Sequence, residues 1–230
     1  MNLKNRYNLV NTLIIVYFIN AVVEVISEYT SCQTIIYFTK PLIPLILMVL
    51  YFCESSKKNI LFFVIMSFSL ITNLLFIPSD EKALFYGVIS FTIHRIFLLI
   101  LIFKIIKIKD YIPFVLATMP LAFIFFYLFA ASDVPENSYY LIVFHNIMAS
   151  VLGGMAISSY VMNDNKRNSL LLISVLLFLG LQLVVYIEKY YLVESHSFLL
   201  RPLAMTLNIL AFYCFYKFVI ASEKQKLNND

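Results

Sequence analysis

Seven ionisable side chains sit where an apolar sequence makes them expensive. Glu24, Lys40, His94, Arg95, His145, Glu188 and Arg201 lie inside, or at the ends of, long hydrophobic runs. A charge at the centre of a bilayer costs roughly 3 kcal/mol or more, so such groups mark function or paired structure. Lys40 stands in Thr39-Lys40-Pro41-Leu42, with Pro44 a turn later. Pro41 removes a backbone donor and loosens the helix around the charge. Lys40 is therefore either a cation for a phosphate or acidic partner, or a lysine snorkelling to the interface. His94 and Arg95 are adjacent and project about 100° apart on a helix. They can serve as a proton carrier and an anion clamp, or Arg95 can pair with Glu24 or Glu188. Two carboxylates, Glu24 and Glu188, can divide acid and base roles, or form salt bridges to Lys40 and Arg201. No Ser–His–Asp set, P-loop, haem pattern or metal-ligand spacing appears, and Cys32, Cys53 and Cys214 suggest neither a zinc site nor a disulfide pair. No cofactor is expected.

The elements that must hold these groups are membrane helices. The 230 residues are 62% hydrophobic and 13% charged, with mean hydropathy +0.88, too apolar for an ordinary soluble domain. The net charge of +4 is spread over short loops, as in a topology signal, and excludes a nucleic-acid-binding face. A helix needs about 20 mostly apolar residues to cross the hydrocarbon core. Eight windows qualify: 8–27, 35–53, 59–77, 83–104, 111–131, 139–162, 168–191 and 197–220. Short connections carry turn residues, among them Ser55 and Ser56, Pro135 to Ser138, and Asn163 to Asn165. The expected fold is a single all-α domain, a bundle of eight transmembrane helices.

Charge orients the bundle. One side receives Lys4, Arg6, Lys57, Lys58, Lys104, Lys107, Lys109, Lys166, Arg167, Lys224 and Lys226, and the other side's loops receive Lys82. Eleven against one places both termini in the cytoplasm. If the cell is bacterial, the expected location is the plasma (inner) membrane. Threading then gathers Glu24, Lys40, Asn73, His145, Asn146, Gln182, Glu188 and Arg201 in the outer half, with His94 and Arg95 near the middle. The sixth window carries Ala149, Gly153 and Ala156, a small-residue face for close helix packing.

Three stretches resemble the YhhN-like integral membrane proteins, which include the lysoplasmalogenases: Thr39-Lys40-Pro41-Leu42; Phe68 through Leu75; and Phe85-Tyr86-Gly87 through Ser90, Phe91 and His94. Leu177 to Tyr190 resembles that family's seventh helix. The resemblance implies eight transmembrane helices and hydrolysis of a lysolipid vinyl ether. It also implies an acid/base pair of aspartates in the third and seventh helices, where this chain has Asn73 and Gln182. An amide cannot exchange a proton as a carboxylate does. Under this resemblance His94, Asn73 and Gln182 line the reaction site. Lys40, Arg95, Glu24, Glu188 and Arg201 bind a membrane lipid or lysolipid. Activity, if kept, would fall to Glu24, Glu188 or His94. The rival readings are a non-enzymatic lipid-binding or sensory membrane module and a small-solute transporter.

Overall fold

The computed structural model describes residues 3–78, 80–108, 110–132, 139–190 and 199–227. Lys109, the Pro135–Ser138 turn and the first two residues of the window 197–220 lie outside them. Eight helices account for most of the described chain: α1 (Leu3–Tyr29), α2 (Gln33–Glu54), α3 (Ile60–Leu75), α4 (Glu81–Ile105), α5 (Tyr111–Ala130), α6 (Tyr139–Met162), α7 (Lys166–Tyr190) and α8 (Leu200–Leu227). Seven are long and apolar enough to cross a membrane. α3, with 16 residues, is shorter than its 19-residue apolar window. At 1.5 Å per residue it covers about 24 Å of a core of about 30 Å.

Local chemistry sets the helix starts. Asn59, Asp80 and Asp110 cap α3, α4 and α5, accepting from Leu61, Ala83 and Ile112 backbone N–H groups at 3.0, 2.9 and 3.0 Å. Each cap satisfies a donor that the first helical turn leaves orphaned. Between α1 and α2 the chain reverses over Thr30–Cys32, with Ser31 in the left-handed region at φ 54°. That tight reversal sets the end of α1 and the start of α2 side by side.

Helices α1, α2, α3, α4, α6, α7 and α8 pack in that order and close back on α1. Aromatic side chains of α8 fill the middle: Phe212 meets His94 and Phe178, and Phe215 stacks on Phe62. α5 lies outside, against α6. A Cβ at Gly154 would stand 1.8 Å from Thr118 Oγ1, and one at Gly153 would stand 2.3 Å from Leu121 Cδ1. The small face of α6 is thus the contact that admits α5.

The polarity pattern is that of a membrane protein. Large apolar side chains such as Ile15, Phe38, Leu116 and Phe123 point outward, while Glu24, Lys40, His94 and Arg95 are buried. An exposed apolar surface of this extent is stable only against lipid. The protein is therefore an integral membrane protein.

One end of the bundle joins both chain ends. Arg6 donates to the carbonyl oxygens of Cys53, Glu54 and Ser55 at the close of α2, at 2.6, 3.1 and 3.4 Å. Glu54 accepts from Tyr216 and pairs with Lys217 and Lys224 at 3.3 and 3.1 Å. Glu223 accepts from Tyr51 and Ser55. The start of α1 and the end of α8 therefore lie on the same side of the bundle.

Candidate functional site

Two groups of buried polar side chains occupy the interior. The first lies among the end of α1, the start of α2 and the end of α3. Lys40 Nζ pairs with Glu28 Oε1 at 2.6 Å. Glu24, one helical turn before Glu28, is fully buried. Its Oε2 accepts from the Thr39 hydroxyl, and its Oε1 accepts no hydrogen bond from a described residue.

Proline explains one of two neighbouring amides. In a regular helix the N–H of residue 44 would donate to the carbonyl of residue 40, but Pro44 has none. Asn73 Nδ2 donates to that Lys40 oxygen instead, at 3.1 Å. Asn20 Nδ2 reaches the adjacent Thr39 carbonyl at 3.0 Å. The amides repair and brace the loosened turn that carries Lys40. A carboxylate at position 73 could not donate this bond, which gives a structural reason for Asn there.

The second group lies among α4, α5, α6 and α7. Arg95 is 1% exposed and is the largest of the fully buried side chains. Its Nη2 donates to Gln182 Oε1 at 3.3 Å. Gln182 Nε2 in turn donates to Asn146 Oδ1 at 2.9 Å, and Asn146 Nδ2 donates to the Phe125 carbonyl at 3.4 Å. The guanidinium also lies over the rings of Phe91 and Phe178, at 5.2 and 5.9 Å from their centroids. His94 and His145 stack on Phe91, with centroids 5.7 and 4.8 Å away. Neither nitrogen of His94, nor His145 Nε2, nor Arg95 Nη1 has a hydrogen-bond partner among the described residues.

α4 carries the connection between the groups. Thr72 donates to Ser90 Oγ at 3.0 Å, and Ser90 lies one turn before His94 on the same helix. The residues proposed to line one reaction site therefore divide. Asn73 joins Lys40 and Glu24, whereas Gln182 joins Arg95, with His94 packed beside Phe91.

Several sequence expectations change. Arg95 pairs with neither Glu24 nor Glu188, and the carboxylate facing Lys40 is Glu28 rather than Glu24. Glu28 fell one residue beyond the window 8–27 because α1 continues to Tyr29. The Glu24–Glu28 spacing of four was the available signal. Glu188 pairs with Arg201 as expected, at 2.9 Å, but the Arg201 side chain is 57% exposed at the start of α8. This pair stands at the surface and belongs to neither buried group. Lys217, near the inner end of α8, pairs with Glu54.

No family model, curated protein or solved structure matches the chain.

Proposed function

We propose that the protein is a membrane hydrolase of lysolipid vinyl ethers, of the lysoplasmalogenase type, with the Glu24–Glu28 pair as its acid and base. The observation that supports this reading is two buried carboxyls one helical turn apart on α1, one of them paired with Lys40. With one proton between them, Glu24, Glu28 and Lys40 form a neutral set. One carboxyl faces a hydroxyl and the other an ammonium, so they are chemically distinct.

The chemistry balances on this pair. Glu24, holding the proton, delivers it to the vinyl carbon remote from oxygen and leaves an oxocarbenium ion. Water adds at the carbon bearing oxygen and yields its proton to Glu28. The hemiacetal collapses to an aldehyde and the free glycerol hydroxyl, so one water is consumed per turnover. A proton passing from Glu28 to Glu24, one turn away on the same helix, restores the starting state. Asn73 holds the Lys40 turn, and the two amides expected at acid/base positions carry no proton transfer.

A non-enzymatic lipid-binding module is the second reading. It is favoured by the engagement of both Asn73 and Gln182 in bonds within the protein. The test is aldehyde release from lysoplasmalogen by the purified protein. The hydrolase reading expects turnover in the wild type, reduced by at least ~100-fold in Glu24→Gln, within the usual range for a positioned acid. Saturable lysolipid binding with no aldehyde from the wild type would establish the second reading instead.

A further inference from the structure

We infer that Arg95 is half of a binding site for a phosphate-type oxyanion, held in the second buried group. The inference rests on the surroundings of Arg95 and does not depend on hydrolysis at Glu24.

A guanidinium stays charged in any protein environment. Buried charges are ordinarily paired, because desolvation without a counter-charge is costly. Lys40 obeys this rule through Glu28. Arg95 does not: among the described residues no carboxylate pairs with it, and a neutral amide oxygen is its hydrogen-bond acceptor. Two aromatic faces provide the remaining compensation, which is modest beside a counter-ion.

The unspent donors point the same way. Arg95 Nη1 is buried and unpartnered. His94 and His145 each keep a ring nitrogen without a partner, and both rings lie within electrostatic reach of Arg95. A neutral imidazole carries one N–H, so each ring has a donor to offer in one of its two tautomers. One fixed positive charge, spare donors and no acidic partner among the described residues make up an oxyanion site.

The guanidinium is also held in place. Gln182 fixes Nη2, Asn146 fixes Gln182, and the Phe125 carbonyl fixes Asn146. This relay ties α4 to α5, α6 and α7, leaving Nη1 as the free arm of the fork. Phosphate geometry suits such a fork, and one negative charge neutralises the site. The anion is either free phosphate or the phosphodiester of a lysophospholipid, since both present the same oxygens.

The experiment uses the full-length protein in a phosphate-free maltoside detergent. Thermal unfolding is followed with inorganic phosphate, with acyl lysophosphatidylcholine, and with monoacylglycerol, which shares the tail but lacks phosphate. The acyl lipid has no vinyl ether, so failure here is separable from failure of the hydrolase reading. A rise in the unfolding midpoint with phosphate assigns the free anion. A rise with the lysophospholipid, but with neither phosphate nor monoacylglycerol, assigns the head group. Gln182→Glu keeps Arg95 and sets a carboxylate on its Nη2, so it should weaken the anion's binding by at least ~10-fold, as should Arg95→Gln. The inference is overturned if no phosphate-bearing ligand raises the midpoint, if monoacylglycerol acts as strongly, or if Gln182→Glu binds like the wild type.

Discussion

The Lys40 and Arg95 groups are both buried in one bundle and both built around a single cation, yet their charge balance is opposite. Lys40 pairs with Glu28, and a second carboxyl, Glu24, is buried one turn away on α1. Arg95 faces an amide, two imidazoles and aromatic rings. The first group supplies its own counter-charge and has acid to spare. The second has positive charge to spare. Buried charge in a membrane protein is thus not one kind of signal. Its meaning depends on what remains once the internal pairs are counted.

The largest effect should come from breaking the balanced group. Lys40→Met leaves Glu24 and Glu28 buried without a cation and should cost about 3–5 kcal/mol, since removing one partner strands the other. Adding Glu28→Gln to Lys40→Met should recover much of that loss. Equilibrium unfolding in detergent measures both. Equal stability of Lys40→Met and the wild type would show that the pair is not the internal balance it looks like.

Exchanging an amide for an acid should act with opposite sign in the two groups. Asn73→Asp removes the donor to the Lys40 carbonyl that Pro44 leaves open, and sets negative charge against that carbonyl oxygen. It should lower stability by about 1–3 kcal/mol, the cost of an unsatisfied buried group. Gln182→Glu places a carboxylate against Arg95 at the position where the amide oxygen now accepts at 3.3 Å. It also gives up the Nε2 bond to Asn146, so in ligand-free protein the net gain in stability should be about 1 kcal/mol, from an ion pair replacing a bond to a neutral acceptor. If both variants are destabilised alike, the contrast between the groups fails. A gain of hydrolysis on adding acids at 73 and 182 together would move the acid/base role away from Glu24 and Glu28.

Much of this arrangement was legible from residue types alone. Apolar length located the helices, and the window 139–162 coincides with α6. Lys40, Glu24, His94 and Arg95 stood out because each is a costly residue in an apolar run, and all four are buried. The pairings were not legible, because they depend on helix rotation and on which helices touch. Glu28 lay one residue past the hydrophobic window, yet the tight Ser31 turn sets its carboxylate against Lys40. Asn73 read as a degraded catalytic position, whereas its bond to the Lys40 carbonyl is a repair prompted by Pro44. That link joins residues 33 positions apart in sequence, and no local pattern reveals it.

The smallest effect should come from the pair outside both groups. Arg201 and Glu188 hydrogen-bond at 2.9 Å, but the arginine is more than half exposed. Solvated ion pairs of this kind contribute roughly 0–1 kcal/mol, because water and side-chain entropy offset the attraction. Arg201→Ala should therefore leave the unfolding midpoint nearly unchanged. It should also leave both the phosphate response of Arg95 and aldehyde release unaltered, because neither depends on a contact that Arg201 makes among the described residues. A loss of lysolipid binding in Arg201→Ala, with the fold intact, would extend the ligand from the buried groups to the outer end of α8. That outcome would make Arg201 a head-group contact and would sharpen the division between balanced and unbalanced charge into a path leading from the surface to Arg95.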